Sequence, residues 1–169
     1  MAEPPLDPDF GRATYRPELE FAFDIKLEFH SRLRVGPNHA GGALGFVGVA
    51  GGIICGPHLN GRIVPNSGGD WANMRADGVV EFRAHYLIEA DDGTIIHVHN
   101  TGYGRASPTP IAMGDAHDTA ELVPHYFRVT PRFEAPVGPH DWLTRVIVLG
   151  AGERRPNPDR TVFHYYVVR

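Results

Sequence analysis

The chain has 169 residues, enough for one domain with a sizeable core. It carries 16 Lys and Arg against 20 Asp and Glu, a formal net charge of −4, with both signs interspersed. That balance excludes an electrostatic footprint for nucleic acid or an anionic membrane, and no apolar run approaches the ~20 residues that a membrane-spanning helix needs.

Residues 1–17 read as an N-terminal extension and residues 18–169 as a single domain. Met1 to Asp9 is acidic and Pro-rich and lacks the basic and apolar regions of a signal peptide, so a cytoplasmic protein is expected. Glu18 to Phe29 alternates: Leu19, Phe21, Phe23, Ile25, Leu27 and Phe29 fall on one side, and Glu18, Glu20, Asp24, Lys26 and Glu28 on the other. Period two over that length predicts a long, half-buried antiparallel strand. Leu44 to Val49 and Gly51 to Gly56 are apolar and Gly-rich, a pattern of strands that bend or approach a neighbour closely. Cys55 is the lone cysteine, expected to be a small buried hydrophobe. Arg62 to Val64 is a short strand ahead of a turn at Pro65 to Gly69. Gly68-Gly69-Asp70-Trp71 then reads as a loop.

Val79 to Glu89 and Ile95 to Gly102 alternate on either side of Asp91-Asp92-Gly93, a strong hairpin signal. With Gly93 in the left-handed region, Ala90 faces Thr94 and the register follows. Phe82, Ala84, Tyr86, Ile88, Ile96, Val98 and Asn100 then share one face. Glu81, Arg83, His85, Glu89, His97 and His99 share the other. A slip of one residue would mix the two sets. Ser107 to Val123 is the longest irregular stretch, with a short helix expected at Thr119 to Leu122. Strands follow at His125 to Phe133, Trp142 to Leu149 and Thr161 to Val168. The 20 glycines and 15 prolines punctuate short strands rather than long helices. The expected fold is all-β, a single antiparallel barrel of about eight to ten strands, closed so that no sheet edge is left.

Chemistry is sparse in this sequence. It holds no nucleophile elbow, phosphate loop or dinucleotide fingerprint. Asp70, set at a barrel mouth, can act as a base or orient a cation, and Trp71 can stack on a planar ligand. The bland reading is a capped turn, with Arg75 paired to Asp70 or Asp77. Tyr86, Asn100 and His125 carry polar tips on apolar faces, and each needs a partner or a ligand. Together they can polarise a carbonyl and move a proton; the alternative is an internally satisfied core network. His97 and His99 share a strand face, and His85 lies opposite His99, which brings three imidazoles together. Arg83 and Glu81 on that face favour solvated histidines over a metal site.

Beyond single residues, a combination of motifs has a familiar look. Gly51-Gly52, Gly56-Pro57, Gly61, Gly69-Asp70-Trp71, Arg75, Asp77-Gly78, Ala84, Tyr86, Asp92-Gly93, Ile96, Asn100 and Gly102 resemble a family known as domain of unknown function 3237. The likeness continues through Tyr126-Phe127-Arg128, Pro131, Phe133-Glu134, Trp142-Leu143 and Arg145, and so spans nearly the whole chain from Glu18. It implies a barrel similar to allene oxide cyclase and dirigent proteins, which bind small apolar or aromatic molecules and guide cyclisation or coupling without a cofactor, often as dimers or trimers. The chain departs from the family pattern at His85 (usually Arg), Thr144 (usually Asn), His97 and His99.

These readings converge on a cofactor-independent enzyme of isomerase, cyclase or lyase type, acting on a small aromatic or polyketide-like ligand inside the barrel. Asp70, Tyr86, Asn100 and His125 are the expected catalytic residues, with Asp70 or His125 as base and Tyr86 and Asn100 donating to an oxyanion. Trp71, Arg75, Phe127 and Trp142 are the expected substrate-binding residues. The expected assembly is a homodimer or homotrimer. Two rivals stand beside this: a non-catalytic carrier, and a metal-dependent enzyme built on His85, His97 and His99.

Overall fold

Nine antiparallel strands make up the computed structural model, which describes residues 16–105, 126–155 and 158–169. They are β1 (Leu19–Pro37), β2 (Ala43–Cys55), β3 (Gly61–Ile63), β4 (Gly69–Met74), β5 (Val79–Ala90), β6 (Ile95–Arg105), β7 (Tyr126–Glu134), β8 (Val148–Arg155) and β9 (Arg160–Val168). The sheet runs β1-β9-β8-β7-β6-β5-β3-β2-β4, and the further pairing of β1 with β2 joins its two ends into a barrel. Strands β3 and β4 share one stave, since each pairs with both β2 and β5. The seam between β7 and β8 is thin: among the described residues, only Arg128 with Ala151 and Val129 with Gly150 are paired across it.

The hairpin takes the expected register. Ala90 N–H donates to Thr94 O at 2.9 Å, Gly93 has φ 84°, and His85 pairs with His99. Its apolar face is the inner one: Ala84, Tyr86, Ile88, Ile96, Val98 and Asn100 are all buried. Phe23, Ile25 and Leu27 of β1 and Phe163, Tyr165 and Val167 of β9 complete the wall. Burying such a face contributes roughly 25 cal/mol per Å² of apolar area, the main force closing the barrel. One end is plugged. There Leu59 and Leu143 are buried, Trp142 and Val146 pack on the core, and His140 Nε2 meets Asp92 Oδ2 at 3.1 Å beside the β5–β6 turn.

Four expectations need correction. Gly68-Gly69-Asp70-Trp71 is not a loop: Gly69 onward forms β4. The glycines allow close strand approach, since a Cβ on Gly68 would lie 1.8 Å from the His85 carbonyl oxygen. Trp142 to Leu149 is not a continuous strand; Asp141–Thr144 forms a 3₁₀ turn that serves as the plug, and β8 begins at Val148. Cys55 is exposed, because its neighbour Ile54 takes the inward position. Strand β1 runs eight residues beyond Phe29, to Pro37, with irregularities between Glu28 and Phe29, Phe29 and Ser31, and Arg34 and Gly36. The stretch Ser107 to Val123, with its expected helix, lies outside the described residues, as does His125. Among the described residues, no helix is long and apolar enough to cross a membrane.

Candidate functional site

The unplugged end of the barrel gathers the polar groups. Arg32, Val47, Asp70, Ala84, Asn100 and Pro131 stand successively opposite one another across β1, β2, β4, β5, β6 and β7. Directly opposed residues share a face of the sheet, and Ala84 and Asn100 are buried on the inner face, so this row faces inward. Asp70 therefore points into the barrel. Its Oδ1 accepts the Arg83 backbone N–H at 2.8 Å. Burial pushes its carboxyl up to about 6, against the Arg83 N–H and the Arg32 charge, which pull it down.

Asn100, from that row, meets two phenols that lie one step deeper. Asn100 Nδ2 donates to Tyr165 Oη at 2.9 Å. The Tyr86 hydroxyl stands beside that of Tyr165. Burial raises both phenols, so both stay protonated as donors at neutral pH. The Asp70 charge adds to the rise at Tyr86, which places the carboxylate within electrostatic reach of that phenol. Tyr86 Oη and Asn100 Oδ1 are nevertheless buried without a well-formed hydrogen bond. Leaving such atoms unpaired costs about 1–3 kcal/mol each unless water or a ligand satisfies them. The core network expected as the bland alternative is thus incomplete.

Around this group the walls are aromatic. Phe127 stacks on Phe82 at 4.4 Å and meets Phe163 edge-on at 5.2 Å. At the rim, Arg32 Nη2 pairs with Asp159 Oδ2 at 2.6 Å, and Arg154 Nη2 lies 3.6 Å from Asp159 Oδ1. Burial, followed by the neighbouring Arg32 charge, pulls the Arg154 guanidinium down.

Other expected residues stand elsewhere. Trp71 follows Asp70 in β4, so it faces outward; it is 49% exposed and packs on Phe46 at 4.7 Å. Arg75 sits at the β4–β5 turn, bound to Asp77 at 2.5 Å and near Glu81 at 3.5 Å, not to Asp70. Trp142 belongs to the plugged end, 6.0 Å from His58. Sequence reasoning missed Tyr165, Arg32 and Arg154. Tyr165 carried the same signal as Tyr86, a polar tip in an apolar alternation, and was legible. Arg32 was hidden by the irregularity at Phe29: beyond it Leu33 and Val35 turn outward, 61% and 64% exposed, and the arginine takes the inward phase.

A different constellation occupies the outer face of the same strands. His85, His97 and His99 each present a ring nitrogen within 4.8 Å of the others. An open groove also lies outside, across β5 to β8, with Arg83, Tyr103, Tyr126 and Arg128 in its walls.

Comparison with known proteins places this geometry among others. A family model described as "Protein of unknown function (DUF3237)" matches residues 17–168. A UPF0311 protein of Rhodopseudomonas palustris (strain TIE-1) is 28% identical over 154 residues, covering 86% of this chain and 96% of that protein. The crystal structure of a conserved protein of unknown function from Rhodopseudomonas palustris superimposes with a TM-score of 0.78 at 26% identity, covering 92% of this chain and 100% of that one. A beta-barrel like protein from Acinetobacter baumannii gives a TM-score of 0.77 at 24% identity, over 92% of this chain and 98% of that one. An enzyme from Penicillium herquei shares the fold, with a TM-score of 0.69 at 23% identity, over 94% of this chain and 99% of that one.

Proposed function

This chain belongs to the DUF3237 family, and from that premise we propose that it is an enzyme of acid–base type, acting without a cofactor on a small, partly apolar molecule held in the open end of the barrel. The observation that carries the reading is the pairing of Asp70, its carboxyl near 6, with the unsatisfied Asn100 carbonyl of the same row and the unsatisfied Tyr86 hydroxyl one step deeper. A general base works best when its pKa lies near the operating pH, and proton transfer by a placed carboxylate contributes about 10²–10⁴-fold. In this reading Asp70 takes a proton from carbon. Tyr86 and Tyr165 donate hydrogen bonds to the oxygen that gains charge, and Asn100 holds Tyr165 in place. Phe82, Phe127 and Phe163 pack against the apolar part of the ligand, and Arg32 fixes an anionic or carbonyl group at the rim. The Penicillium herquei enzyme supports catalysis as a use of this fold, at the level of analogy alone.

The test does not require the natural substrate. Enolisable aromatic and polyketide-like ketones are incubated with the protein in D₂O, and deuterium uptake next to the carbonyl is followed by mass spectrometry. The expected result is catalysed exchange that Asp70→Asn lowers by about 10²-fold or more. Tight binding with no exchange would favour the carrier. Exchange untouched by Asp70→Asn would remove Asp70 from the mechanism.

A further inference from the structure

We propose that the outer face of β5, β6 and β7 carries a transition-metal site of the zinc type, with His85, His97, His99 and Glu134 as its four ligands. Three neighbouring strands supply them. His97 and His99 alternate on β6, His85 stands opposite His99 on β5, and Glu134 stands opposite His97 on β7. The donor atoms converge. His99 Nε2 lies 3.1 Å from His97 Nδ1, which lies 3.1 Å from Glu134 Oε2, while His99 Nε2 is 3.5 Å from Glu134 Oε1. The His85 ring centroid is 4.3 Å from that of His99 and 5.8 Å from that of His97, and all three imidazoles offer a nitrogen within 4.8 Å of one another.

The separations among His97, His99 and Glu134, 3.1–3.5 Å, have the scale of a tetrahedral site, and His85 stands within 4.8 Å of the other two imidazoles. Zinc–nitrogen bonds of about 2.0–2.1 Å set ligand atoms about 3.3 Å apart along the edges of the tetrahedron. Two imidazole nitrogens facing each other at 3.1 Å with a carboxylate against them need one bridging proton or one shared cation. A third imidazole on the same centre is more than a proton bridge uses. Arg83, on the same face, turns to Glu81 at 3.2 Å rather than to the histidines. Arg132 stands opposite His99 on β7 and flanks the cluster. The donor set, three imidazoles and one carboxylate, suits zinc, copper or nickel and not magnesium, which prefers oxygen. The site is set apart from the barrel interior by the sheet itself: His85 and His99 point out where their neighbours Ala84, Tyr86 and Asn100 point in.

The experiment uses the untagged full chain, stripped with a chelator and titrated with zinc sulfate by calorimetry. Cobalt(II) provides a visible absorption spectrum that reports tetrahedral geometry. One equivalent of zinc, a tetrahedral cobalt spectrum and no magnesium binding are expected. His97→Ala and His99→Ala should each weaken zinc binding by about 100-fold or more. His85→Gln, a milder change at an exposed position, guards against misfolding and should weaken binding while the far-ultraviolet circular dichroism is kept. His164→Ala, a histidine bonded to Asp24 elsewhere on the barrel, should leave binding unchanged. Absence of stoichiometric binding would overturn the proposal, as would binding that survives His97→Ala and His99→Ala, or equal affinity for magnesium.

Discussion

Asp70 is a carboxylate placed where its charge is costly. Its folded pKa, about 6, lies above the ordinary value of 3.8, so the folded state holds the proton more tightly than the unfolded chain does. Stability from this residue is therefore fully present below pH 4 and is lost as pH rises through 6. Replacing it by Asn removes that loss. Asp70→Asn should stabilise the protein at pH 8 relative to pH 4 by on the order of 2 kcal/mol, measured by urea denaturation at both values. No difference between the two pH values would show the carboxyl to be well solvated. Under the proposed mechanism the sign reverses: the base is the ionised form, so turnover should rise through about pH 6 and then level off. Arg32 and Trp142 give a second contrast. Arg32→Ala should raise the KM for an anionic ligand about tenfold or more, whereas Trp142→Phe, at the plugged end, should change kcat/KM less than about twofold.

Along the elements, tight spots and irregularities decide what the alternation alone does not. A Cβ on Gly102 would meet the Arg128 carbonyl oxygen at 2.1 Å and Val129 Cα at 2.7 Å. Gly102→Ala should therefore destabilise the β6–β7 ladder by about 1–3 kcal/mol, read as a lowered urea midpoint with an unchanged slope. The hairpin was legible because period two on both strands and an Asp-Gly turn point to one register, and Tyr86 and Asn100 inherit their inward direction from it. Phe127 was legible in the same way. The inward phase of Arg32 was not, because bulges in β1 shift the side-chain alternation by one, and no feature of the local sequence announces where a bulge falls. Asp70 is legible as a polar group at the barrel end, though it stands on a strand and not in the expected loop. That change of element is what sends Trp71 to the opposite face. Trp142 was misplaced because apolar spacing does not separate a strand from a plug.

At the scale of the whole molecule the barrel has two unlike ends and two unlike faces. Leu59, Leu143 and Trp142 close one end with apolar packing, while Arg32, Asp70, Arg154 and Asp159 make the other polar. Leu143→Ala should cost about 2–5 kcal/mol of stability, seen in thermal unfolding, while the proposed exchange activity of the folded protein persists below the lowered transition. That outcome would show that the plug supports the fold and not the reaction.

The thin join between β7 and β8 has a consequence of its own. Among the described residues, Arg128 with Ala151 and Val129 with Gly150 are the pairs that join β7 to β8, fewer than in any other ladder of the barrel. The outer groove passes over this line, with Val129, Leu149 and Gly150 in its floor. A cylinder under thermal stress parts along its weakest generatrix, so amide protons of Val129 and Ala151 should trade with solvent sooner than those of the β5–β6 hairpin. For the ligand proposed above, such a slit would be a lateral way in, between Val129 and Gly150, that bypasses the arginines at the rim.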